Sequence, residues 1–82
     1  MFVVKSFINL ISEKYRDNIE ESTRISKLII EINTEIQQDK NMLHNDFVRL
    51  VNQVEELVRE RSRIIDYNEG LYDAREIVMK YV

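Results

Sequence analysis

Residues 47–80 read FVRLVNQVEELVRERSRIIDYNEGLYDAREIVMK, and their spacing decides the fold. Neighbouring apolar pairs recur every seven residues: Leu50/Val51, Leu57/Val58, Ile64/Ile65, Leu71/Tyr72 and Val78/Met79. A seven-residue repeat held this long belongs to helices wound around one another with a left-handed supercoil. With the first of each pair at heptad position d and the second at e, position a holds Phe47, Val54, Arg61, Asn68 and Arg75. The a row is apolar at its start and polar from Arg61 onward. Polar residues at a set register, orientation and oligomeric state at some cost in stability. Three roles suit them: setting register, lying at the edge of a drifting stripe, or facing a carboxylate-bearing partner. Tyr67, Ala74 and Tyr81 at g widen the apolar face, either as interface anchors or as packing for Phe2, Phe7 and Tyr15.

Upstream, Ile25, Leu28, Ile29, Ile32 and Ile36 form a second amphipathic stripe at three- and four-residue spacing. Phe7, Ile8, Ile11 and Tyr15 recur at helical spacing too, with Val3 and Val4 on the same side. Between them lies the polar segment RDNIEEST, residues 16–23, where Asn18 or Ser22 could cap a new helix. It is a candidate kink. A second polar cluster, Gln37–Asn41 and His44–Asp46, offers caps at Asn45 or Asp46 and divides the chain into near-equal halves.

The d register also runs back through Leu43, Ile36 and Ile29, so two architectures satisfy the pattern. One is a hairpin of long antiparallel helices, about 3–38 and 46–81, turning near 38–45 and dimerising into a bundle or coiled coil. The other is a single helix from about Ser22 to the end, on the order of 90 Å long at 1.5 Å per residue. The polar cluster and the change of stripe favour the hairpin. The lack of glycine or proline at the turn favours the long helix.

Composition agrees with an all-α reading. The 82 residues suit one domain, and they include no proline, no cysteine and one glycine, Gly70, too few turn formers for a sheet. Gly70 costs a helix about 1 kcal/mol relative to alanine, and apolar pairs continue past it, which places it on an outer face. A core this small is marginal, and no disulfide can reinforce it. Packing between subunits is therefore expected. The interface residues are Phe47, Leu50, Val51, Val54, Leu57, Val58, Arg61, Ile64, Ile65, Asn68, Leu71, Tyr72, Arg75, Val78 and Met79, facing a protein partner, a second copy, or both.

No residue pattern points to catalysis or to metal binding. His44 is the single histidine and sits in the turn, away from any strand–turn–helix context for a serine nucleophile. Inward Glu-x-x-His pairs that hold metals in bundles do not occur, and one glycine cannot build a phosphate-cradling loop. Glu20/Glu21, Glu55/Glu56 and the series Asp66, Glu69, Asp73, Glu76 fall on outer faces. No enzyme, cofactor or metal site is expected. Net charge is −3, with six basic and seven acidic residues before Leu43 and six and eight after. That balance counts against nucleic-acid binding. Arg59, Arg61 and Arg63 form the densest basic patch, but residues two apart on a helix point in different directions. No apolar run reaches a membrane span of ~18 residues, and no secretory signal opens the chain. A cytoplasmic location is expected.

The stretches FVVKSFINLISEKYRDN (2–18) and FVRLVNQVEELVRERSRIIDYNEG (47–70) are rich in Ile and Asn and free of Cys, Trp and Pro. In this the chain resembles small helical accessory proteins encoded by large tailed phages. The resemblance implies a cytoplasmic protein that modulates another protein, such as an antiholin-type lysis regulator or an inhibitor of a host factor. Small secretion chaperones and helical scaffold subunits look similar.

Overall fold

The computed structural model describes residues 2–80, with side chains from Lys5 onward, so Tyr81 and the side chains of Phe2, Val3 and Val4 lie outside it. Two 37-residue helices, α1 (Phe2–Gln38) and α2 (His44–Lys80), pack side by side as a hairpin. The result is a rod of 62 × 14 × 13 Å. The hairpin is the architecture adopted, and the single long helix is not.

The turn explains why no glycine is needed. The last turn of α1 closes on a bond from the Asp39 N–H to the Glu35 carbonyl (3.1 Å). The Asp39 carboxylate then accepts the Asn41 N–H (3.1 Å), and the Asp39 carbonyl accepts the Met42 N–H (3.4 Å). An aspartate side chain bonded two residues on reverses the chain without left-handed backbone, and no described residue has a positive φ. Leu43, which continued the d register on paper, is 72% exposed in this turn. Its carbonyl accepts the Phe47 N–H (3.0 Å) and opens α2. Asn45 and Asp46 consequently lie inside the first helical turn and do not cap it. Asp46 stands where a carboxylate complements the helix dipole.

α1 runs without a break through the candidate kink at 16–23. The hydroxyls of Ser22 and Thr23 both donate back to the Ile19 carbonyl (2.9 and 3.0 Å), a bond made inside a helix and not a cap. Asn18 is directed across the hairpin. Nearby, Glu21 and Arg24 pair on the surface one turn apart, and that hydrogen bond holds the Glu21 carboxyl below its ordinary pKa. The small stabilisation of this exposed pair is present above the ordinary glutamate range and lost as pH falls through the lowered value.

Contact between the helices uses a 3–4 repeat on each. On α2 it is the a/d row, Phe47, Leu50, Val54, Leu57, Arg61, Ile64, Asn68, Leu71, Arg75 and Val78, largely buried or half-buried except Phe47 beside the turn. On α1 it is Ile8, Ile11, Tyr15, Asn18, Ser22, Ile25, Ile29, Ile32 and Ile36, all buried or half-buried. Numbered as heptads, Ile8, Tyr15, Ser22, Ile29 and Ile36 take a, and Ile11, Asn18, Ile25 and Ile32 take d. The hydrogen bond between Asn18 and Asn68 marks the register. Extending it puts Ile25 opposite Arg61, Ile29 opposite Leu57 and Ile36 opposite Leu50. The core is thin. Among the described residues only Ile11, Ile25, Ile29 and Leu50 are buried apolar side chains.

Gly70 lies on the outside of α2, and a methyl group there would meet nothing within 4 Å. Gly70→Ala is therefore expected to stabilise the helix by about 0.5–1 kcal/mol. In thermal melts followed by circular dichroism that is a rise on the order of 5 °C.

Candidate interaction surface

The a/d row of α2 is occupied by α1, which leaves the e row unsatisfied. Val58, Ile65, Tyr72 and Met79 are 38–51% exposed, and Val51 is half-buried. The d/e pairs that marked this face in the sequence are thus split. Their d members point into the hairpin, and most of their e members flank it. In coiled coils e positions are commonly charged. Here all five are apolar.

Across the e side of the hairpin, α1 contributes its own e residues Lys5, Ser12, Ile19, Ser26 and Asn33. Ile19, Ile65 and Tyr72 line one open groove of about 540 Å³, floored by Tyr15, Ile64 and Asn68. It continues into a smaller one of about 200 Å³ between Ile11, Ser12, Tyr15, Tyr72 and Arg75. Together they form a lengthwise apolar track.

Beneath the track runs a polar layer. Asn68, only 7% exposed, accepts from the Asn18 amide (2.8 Å) and donates to the Tyr15 carbonyl (3.0 Å). One heptad away along the a row, Arg61 reaches past Ile25 to donate to Ser26 Oγ (3.2 Å). Arg75 keeps its Nε buried without a hydrogen-bond partner, while its guanidinium tip approaches Glu76 (3.9 Å). Of the three a-row polar residues, Asn68 and Arg61 thus make hydrogen bonds across the hairpin.

The remaining sequence candidates are dispersed. Arg61 turns inward, while Arg59 and Arg63, one turn apart, line one surface groove together with Glu56 and Glu60, and Arg59 also faces Glu55 (3.9 Å). His44 is exposed at the start of α2. Tyr67 is exposed on the other side of the hairpin, near Lys14 and Asn18, and Phe7 is exposed as well. Among the described residues no three His, Asp or Glu side chains gather as a metal site would require, and no helix is long and apolar enough to cross a membrane.

Two contributors were not legible as site residues: Asn18, the hydrogen-bond mate of Asn68, and Ile19, which faces Ile65 across the groove. Their signal was the 3–4 spacing of α1, in which Asn18 and Ser22 fill the two gaps between Tyr15 and Ile25. Comparison with protein-family models, curated proteins and solved structures finds no match for this chain.

Proposed function

We propose that the chain is a non-enzymatic helical interaction module that docks through the e side of its hairpin. One observation carries this reading: the a/d row of α2 is filled by α1, and a complete second row of apolar residues, Val51 to Met79, remains at seven-residue spacing. Such a row suits the apolar stripe of another helix, whose side chains pack as knobs between residues seven apart. Action in the cytoplasm as a modulator of another protein, as the compositional resemblance to phage accessory proteins implies, is part of the proposal. The inward turn of Arg61 and the glutamates that share the groove of Arg59 and Arg63 weigh against nucleic acid as the partner.

Charging the stripe tests this without touching the hairpin's own contact. A Val58→Glu/Ile65→Glu/Tyr72→Glu chain is expected to keep its helicity, because none of the three is in the a/d row. It is also expected to lose the associated mass that the natural chain shows in solution, whether alone or in native lysate, with association weaker by tenfold or more, as for loss of a central apolar anchor. Association unchanged by the three glutamates would sink the reading.

A further inference from the structure

Each e row is symmetric in polarity about a centre, and the two centres lie within about 3 Å of each other along the rod. On α2 the row reads Val51, Val58, Ile65, Tyr72, Met79, apolar at matched distances on either side of Ile65. On α1 it reads Lys5, Ser12, Ile19, Ser26, Asn33, one isoleucine with polar residues at matched distances on either side. Ile19 and Ile65 line the same groove, so the two centres face each other across the hairpin. A two-fold axis crossing the rod at that level would lay Ile65 on Ile65 of a second copy, Val58 on Tyr72 and Val51 on Met79. Along α1 it would lay Ile19 on Ile19 and Ser12 on Ser26. An isologous contact requires this kind of self-complementarity.

We propose that the occupant of the e side is a second copy of this chain, antiparallel to the first. The product is a four-helix bundle with its two turns at opposite ends. This rests on the reading of the e side as a docking face and names its partner. A two-fold axis along the rod is the competing symmetry. It would set Val58 and Tyr72 on serines of the partner's α1, apolar against polar, and is disfavoured.

Area supports a dimer. The stripe from Val51 to Met79 runs about 42 Å at 1.5 Å per residue, and the backbone rod is 14 Å wide. The face therefore offers roughly 600 Å² per copy before side chains widen it, and two copies reach the lower end of specific interfaces. The rim is acidic. Glu55, Glu69 and Glu76 flank the stripe at b, and the symmetry brings Glu55 near Glu76 of the other copy. Contact is thus driven by apolar burial against like-charge repulsion, and added salt screens the repulsion.

The chain has no cysteine, so single cysteines report the symmetry cleanly. The purified chain is expected to weigh twice 9.9 kDa in light scattering, and the dimer to tighten as salt is raised. Ile65→Cys, on the axis, is expected to form a disulfide with its own mate under mild oxidation. Val51→Cys and Met79→Cys each alone should stay reduced, and the doubly substituted chain should crosslink. A monomeric mass overturns the proposal, as does a dimer in which Met79→Cys links as readily as Ile65→Cys. If the natural chain is monomeric when pure while the glutamate variant loses a complex formed in lysate, the docking face survives and the second copy is ruled out. If neither association is seen, both readings fall.

Discussion

Ile25→Ala is expected to remove most of the protein's stability and leave it close to its unfolding midpoint at room temperature. Ile25 is 1% exposed and is the one described side chain that is fully enclosed. Truncating a buried isoleucine to alanine costs about 2–5 kcal/mol through lost transfer energy and the cavity left behind. A chain of this length has a total stability of only about 4–12 kcal/mol, and a hairpin with so thin a core belongs at the low end. Collapse around the missing side chain is limited, because Arg61 opposite Ile25 already spans the contact to bond Ser26. The control is Ile30→Ala. Ile30 is 64% exposed, and its replacement should stay within about 0.5 kcal/mol of the parent. Urea titrations followed by circular dichroism measure both, at matched chain concentration since self-association would add to apparent stability. An Ile25→Ala midpoint beside that of Ile30→Ala would mean that the a/d contact is not what holds the hairpin.

The contrast between Ile25 and Ile30 was legible in the sequence, because the α1 stripe of Ile25, Leu28, Ile29, Ile32 and Ile36 already marks the inner side. So were the two helices, the polar turn between them and the outward placement of Gly70. The seam itself was less so. Hydrophobicity marks the d/e pairs of α2 most strongly, and it leaves Arg61, Asn68 and Arg75, though placed in the interface, with a choice of register, edge or partner roles. In the structure the seam runs along a/d, well under one residue's rotation from the d/e midline, because those three residues have partners or long apolar stems that make burial affordable. The same effect concealed the α1 half. Asn18 and Ser22 look like helix starts until their partners are known, and the partner of Asn18 lies fifty residues away. In the turn, Asp39 does with a side-chain oxygen what glycine would do with backbone freedom. These misreadings share a cause: short polar side chains have local and long-range bonding options, and periodicity alone does not choose between them.

That dependence makes the asparagine pair the second test. Asn68→Leu alone is expected to destabilise the hairpin by about 1–3 kcal/mol, since it leaves the Asn18 amide in the contact without its acceptor. Asn18→Leu should cost a similar amount. The double substitution removes both polar groups and should be more stable than either single variant, and near or above the parent, as when buried polar partners are replaced by packed apolar residues. The coupling between the sites is then about 1–3 kcal/mol. Stability would come with a loss of uniqueness. Sliding α2 by one heptad along α1 sets Asn68 against Ile11 or Ile25, and Asn18 against Arg75 or Arg61, so two amides lose each other at every wrong register. With leucine at both positions that penalty disappears, and only the length of the Asp39–Leu43 turn and the remaining apolar match oppose the slip. The double variant should show more than one set of amide resonances, while the parent shows one. Additive single substitutions and a single set of resonances would assign register to the turn instead of the asparagines.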